Sequence, residues 1–192
     1  EGIKYHTNKD YETASKLYKK VLLKEPSNYE AIRHLGILNQ DLENYEGAYN
    51  LYIQAVKINP RGFEAINNLA TIHLINRNYE LALKCLNKSI EINENYVAAI
   101  NNLAGYYRKV FEPKKSLEFS SRSLKLQPDN PHAKSQYAKA LMYNNQPDEA
   151  IEILEKLNSD YPDNDDFKID LTSAYREMGE TKKSDDISLK GF

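Results

Sequence analysis

The sequence predicts an all-α fold, a solenoid of about five to six helix–turn–helix repeats. Three observations predict it. The string Ala65-Ile66-Asn67-Asn68-Leu69-Ala70 recurs as Ala99-Ile100-Asn101-Asn102-Leu103-Ala104, 34 residues later, and a fixed period of roughly 20 to 50 residues marks stacked repeats. Within each period the apolar residues fall three or four apart, which puts them on one face of a helix. Glycine and proline number only 7 each in 192 residues. No alternating apolar and polar run suggests a strand.

Taking Tyr29, Phe63, Val97, Pro131 and Asp165 as first positions brings the columns into register. Complete copies then span residues 29–62, 63–96, 97–130 and 131–164. A partial copy (1–28) precedes them, a partial, capping copy (165–192) follows, and residues 1–192 read as a single array. The first helix of each copy packs through positions four, seven, eight and eleven, as in Ile32, Leu35, Gly36 and Asn39 or Ile100, Leu103, Ala104 and Tyr107. The second packs through positions twenty, twenty-four and twenty-seven, as in Ala48, Tyr52 and Ala55 or Ala150, Leu154 and Leu157. Small residues at positions eight and twenty let the two axes approach. A late proline follows at Pro26, Pro60, Pro128 and Pro162, with Glu94 in the remaining copy. Proline lacks the N–H that would continue a helix, so it ends the second one. The last helix is expected over Thr181 to Leu189, with Lys182, Lys183, Asp185 and Asp186 around Ile187 and Leu189. A polar face of this kind suits the end of a stack.

Composition excludes several functions. A hydrophobic fraction of 41% is too high for a disordered chain,. No apolar run is long enough to cross a bilayer, so no membrane insertion is expected. A net charge of -2 leaves no basic footprint for nucleic acid,. The single Cys85 forms no internal disulfide and suits a reducing, cytoplasmic setting,. The chain starts at Glu1 rather than Met, which suggests a fragment or processed form.

Catalytic machinery is not legible either. None of the four histidines sits in a helical metal-ligand pair with a carboxylate, and there is no Gly-rich phosphate loop or Gly-x-Ser-x-Gly elbow,. No enzyme activity and no cofactor are therefore expected of this segment. His73 falls in the eleventh, packing column, and Cys85 lies among Leu83, Leu86 and Ile90 as a small hydrophobe,. The Asn87-Lys88-Ser89 triplet is a formal glycosylation sequon, but it lies mid-helix,. Among 15 tyrosines, Tyr5, Tyr11, Tyr18, Tyr45, Tyr52, Tyr79, Tyr107 and Tyr175 occupy packing columns, while Tyr49, Tyr106 and Tyr143 lie outside those columns and are freer for surface contacts.

One column is polar throughout. The sixth position reads His34, Asn68, Asn102, Gln136 and Asp170, each beside a buried Leu or Tyr. In stacked hairpins the first helices form the inner wall, so this column should run along a groove. A side-chain amide offers both a donor and an acceptor, as a peptide bond does, and amides one repeat apart could hold an extended peptide by its backbone. Glu30, Arg33, Glu64, Asn67, Asn101, Arg108, Lys109 and Lys139 are expected on the same wall, acidic towards its N-terminal side and basic around Arg108 to Lys139.

The column pattern resembles the tetratricopeptide repeat family over essentially the whole chain, departing at position four, where the usual Trp is Ile32, Ile66, Ile100, Lys134 and Lys168. That resemblance implies a right-handed superhelical α-solenoid whose concave groove holds a protein or peptide partner. Asn68 and Asn102, each just before a Leu, are similar to the asparagine ladder of O-linked N-acetylglucosamine transferase repeats. The stretch from Ala14 through Lys16 to Leu22 resembles the leading repeats of bacterial glycosyltransferases and sulfotransferases. An alternative expectation is thus the recognition arm of a larger transferase. A further one is a homo-oligomer built through Leu74 and Ile75. The Lys, Asn and Arg set of the family's carboxylate clamp is not matched in any register.

Overall fold

The structure, a computed structural model, describes residues 1–189. Residues 190–192 and the side chains of Ser188 and Leu189, the latter placed by the sequence in the last apolar pair, lie outside the described residues. Within them are twelve α-helices and no strand. They are α1 (Gly2–Thr7), α2 (Tyr11–Lys24), α3 (Tyr29–Asp41), α4 (Tyr45–Ile58), α5 (Phe63–Ile75) and α6 (Tyr79–Ile92). The second half holds α7 (Val97–Lys109), α8 (Pro113–Leu126), α9 (Pro131–Tyr143), α10 (Pro147–Asp160), α11 (Asp165–Glu177) and α12 (Thr181–Leu189). Two compact units divide the chain, residues 1–99 and residues 100–192. Each is a stack of helical hairpins in which consecutive helices pack side by side.

Local chemistry explains where the helices begin. Side-chain oxygens of Asp10, Asn28, Asn44, Asn130 and Asn164 accept N–H groups from the first turns of α2, α3, α4, α9 and α11, satisfying donors that the helix itself cannot pair. Pro113, Pro131 and Pro147 stand in the first turns of α8, α9 and α10, where a missing N–H costs nothing,. At α5 the N-cap is Gly62, with no side chain to offer. There the Tyr29 hydroxyl, one repeat earlier, accepts the Ala65 N–H at 3.3 Å.

The second helices end where expected, at Lys24, Ile58, Leu126 and Asp160, two residues before each proline. The α6 helix ends at Ile92, in the same register, although Glu94 replaces proline there. Asn93 is extended (φ -136) and the Tyr96 N–H bonds its carbonyl at 3.1 Å. Proline therefore reinforces this boundary without creating it.

The turn inside each hairpin is equally regular. Lys9, Glu43, Arg77, Phe111, Asn145 and Gly179 all adopt left-handed backbone, with φ between 59 and 77. They follow one another at the repeat period.

In residues 1–99 the core consists of linked clusters. Ile32, Ala55 and Ala65 meet where α3, α4 and α5 converge; Ala48 and Tyr52 pack with Leu69 and Ile72; Ala14 and Tyr18 pack with Leu35 and Leu38. In residues 100–192 a continuous cluster runs through Ala138, Leu141, Leu154, Phe167 and Leu171.

The tenth position is a buried column that the sequence reading passed over: Leu38, Ile72, Tyr106, Ala140 and Ala174 are all buried. Tyr106 is thus not a free surface residue; it is 8% exposed and packs edge-on against Tyr107 at 5.2 Å. Conversely Tyr5, placed in a packing column, is 40% exposed, because α1 is only six residues long.

Candidate functional site

In residues 1–99, His34 already has partners. Its ring stacks on Tyr18 at 5.6 Å, and its Nε2 accepts a hydrogen bond from the Arg33 guanidinium at 3.1 Å. Arg33 in turn pairs with Glu30 at 2.5 Å. Burial, and then the neighbouring Arg33 charge, hold the His34 pKa below its ordinary value. Asn67 was expected on the groove wall; at 4% exposed it is buried, and it is corrected to a core-facing position. The reason is geometric: position five lies next to the packing column at position four and turns in with it. Asn68 is half-buried, and its Nδ2 has no hydrogen-bond partner. Glu64 is 3.4 Å from the Tyr29 hydroxyl, which donates to it.

A cavity of about 580 Å³ opens among Leu17, Tyr18, Val21 and Ala31. Val21 occupies the repeat position of Ala55, and Ala55 packs against Ile32. The cavity therefore marks the place that position four fills in the next repeat. Burial raises the Cys85 thiol pKa, which opposes thiolate formation,.

Residues 100–192 bring several candidates together. Asn101 and Asn102 are half-buried on α7, and the Asn101 Oδ1 has no hydrogen-bond partner. In the last turn of α7, Arg108 donates to the Gln136 side-chain oxygen on α9 at 3.3 Å. One turn further along α9, Lys139 pairs with Asp170 on α11 at 2.7 Å, and the Ser135 hydroxyl donates to the same carboxylate at 2.6 Å. Asp170 is therefore a neutralised, hydrogen-bonded group. Three successive first helices are tied together by polar side chains.

Beside this row lies an open cleft of about 240 Å³, bordered by Arg108, Lys139, Tyr143, Asp170, Ser173 and Glu177. Its apolar lining comes from Met142, Leu154 and Ala174. Tyr143, free of the packing columns in the sequence, is 48% exposed here. Ser173 and Glu177 were not among the sequence candidates. They stand at positions nine and thirteen of their repeat, one and two turns beyond Asp170 on the same helix, where nothing in the local sequence marks them out from a solvated face.

Among the described residues no group of three or more His, Cys, Asp or Glu side chains is placed to hold a metal ion. No helix among them is long and apolar enough to cross a membrane.

Hairpins recurring at 34 residues, small-residue contacts between paired helices and first helices joined by polar side chains define a helical repeat protein of the protein-interaction class. The tetratricopeptide repeat profile matches residues 63–96 and, in a second form, residues 112–168. Those two segments are tetratricopeptide repeats. Solved structures agree on the fold. A thermophilic repeat protein of Thermus thermophilus superposes with a TM-score of 0.77 at 21% identity, covering 90% of this chain and 94% of that one. The pilF protein of Pseudomonas aeruginosa gives a TM-score of 0.80 at 18% identity, over 98% of this chain and 86% of that one. YrrB, a repeat protein with an unusual peptide-binding site, gives 0.67 at 16% identity, over 92% and 91% of the two chains. No curated protein sequence matches the chain. Proteins of this family typically bind proteins or peptides.

Proposed function

We propose that the chain is a non-catalytic scaffold that binds a protein or peptide segment along its first helices, with the cleft between α7, α9 and α11 as its principal site. One observation carries the reading. Arg108, Gln136 and Lys139, each a candidate from the sequence, lie on adjacent first helices joined by hydrogen bonds, and two of them border one open cleft. Its mixture of apolar lining and fixed polar groups suits an extended segment, with the apolar surface contributing affinity and the polar groups orientation. Within residues 100–192 the half-buried amides of Asn101 and Asn102 belong to the same reading, as backbone contacts; Asn68 offers a like amide within residues 1–99. YrrB supplies a precedent for peptide binding on a similar fold. The single half-buried cysteine fits a cytoplasmic setting,.

The test is selection of a random peptide library on the immobilised protein and on an Arg108→Ala, Gln136→Ala, Lys139→Ala triple variant. Peptides enriched by the parent and lost by a variant of unchanged helical content support the site. Equal enrichment by both proteins removes it.

A further inference from the structure

The cleft between α7, α9 and α11 is electrostatically polarised, and that polarity specifies its occupant. Lys139 and Asp170 cancel one another at 2.7 Å. Arg108 does not share that fate: its bond is to the neutral amide of Gln136, and it makes no ion pair among the described residues. Glu177, at the end of α11, likewise has no cationic partner among them. The cleft thus carries an uncompensated positive group on its α7 side and an uncompensated negative group on its α11 side. The same cleft is lined by Met142, Leu154 and Ala174.

Resting on the peptide-binding reading above, we propose that the occupant is an extended segment bearing an acidic residue, an apolar residue and a basic residue at alternate positions. The acidic side chain meets Arg108, the apolar one enters the space over Met142 and Leu154, and the basic one meets Glu177. Alternate residues of an extended chain point the same way and advance roughly 3.3 Å each. Five residues therefore span about 13 Å between the outer two, a reach suited to side chains that border one cleft. A guanidinium favours a carboxylate because its planar N–H groups match both oxygens. Opposite charges at the two ends also fix the direction in which the segment lies.

Four fluorescein-labelled pools of degenerate nonapeptides test this. Each has a central apolar residue, with the residues two places before and two places after it set to Glu and Lys, Glu and Glu, Lys and Lys, or Gln and Gln. Fluorescence polarisation at low salt should rank the Glu–Lys pool about fivefold to tenfold tighter than the Gln–Gln pool, with a smaller gap at high salt. Arg108→Gln should erase the gain from Glu, leaving the Glu–Glu pool no tighter than Gln–Gln. Glu177→Gln should erase the gain from Lys. Because each removes a charge from a partly exposed side chain, circular dichroism should show intact helices. If all pools bind the parent equally well, the polarity proposal falls while peptide binding stands. If no pool binds at all, the proposed peptide site falls with it.

Discussion

Gly36 on α3 lies directly beneath the ring of Tyr52 on α4, so closely that an added Cβ would sit 2.6 Å from the ring's Cε1. Tyr52 is fully buried, and its hydroxyl donates to Gln40 at 3.1 Å. Gly2 and Tyr18 repeat the arrangement one copy earlier. In the following copies the same two positions read Ala70 and Leu86, Ala104 and Ser120, and Ala138 and Leu154. Glycine appears where the facing residue is tyrosine, and alanine where it is smaller.

This exchange predicts a coupling. In a helix interior Gly→Ala ordinarily stabilises by about 0.5–1 kcal/mol. At Gly36 it should instead destabilise by about 1–3 kcal/mol, through overpacking against a ring with no room to move. In a Tyr52→Leu background the same substitution should become neutral or stabilising. Urea unfolding of the parent, both single variants and the double variant measures the coupling; an equal cost of Gly36→Ala in both backgrounds would refute the contact.

The left-handed turn residues offer a second test. Phe111 has φ 59 and is 80% exposed, so it bears backbone strain while burying little. Phe111→Gly should stabilise the protein by about 1 kcal/mol, since the left-handed conformation costs a side-chain-bearing residue roughly that much. Asn145→Gly should gain far less, because asparagine tolerates this region. Thermal melts of the two variants should separate accordingly, and equal shifts would count against strain as the cause.

Acid should act through His73. It is 7% exposed, its Nδ1 has no partner, and burial holds its pKa below the ordinary imidazole value. The unfolded chain then binds a proton that the folded one resists. Stability conferred by the neutral ring is complete above the ordinary imidazole pKa and is lost as pH falls below it towards the depressed folded value. His34, also lowered, adds in the same direction. His73→Leu should flatten the decline in melting temperature as pH falls from about one unit above the ordinary imidazole pKa to about one unit below it; an unaltered slope would assign the acid sensitivity elsewhere.

The Lys139 and Asp170 pair gives a fourth. The Asp170 side chain is 10% exposed and that of Lys139 34%. Removing the cation alone, as in Lys139→Met, strands a buried carboxylate with only Ser135 and should cost about 1–3 kcal/mol. Adding Asp170→Asn should recover most of that loss. A double variant no more stable than Lys139→Met would show that the ion pair is not what holds the carboxylate.

The hairpin register was legible because helix geometry is local. Side chains three and four places apart share a face whatever lies across from them, so the Leu69 and Leu103 columns and the proline boundaries could be read from spacing alone. The candidate site was half legible. Arg108, Gln136 and Lys139 could be nominated as polar neighbours of packed positions, whereas Ser173 and Glu177 could not, since nothing local distinguishes them from any solvated face.

What the sequence determined by itself is which residues pack: a period of 34 residues repeats one hairpin, and apolar spacing assigns its two buried faces. What the tertiary structure alone decided is which residue meets which. It turned Asn67 and Tyr106 inward, set Tyr29 as the cap of the next repeat's helix, forced left-handed backbone on Phe111 and spent the Lys139 charge on Asp170 while setting Arg108 against the neutral amide of Gln136. Those outcomes depend on groups brought together from dozens of residues apart, and no periodicity along a chain encodes the distance between them.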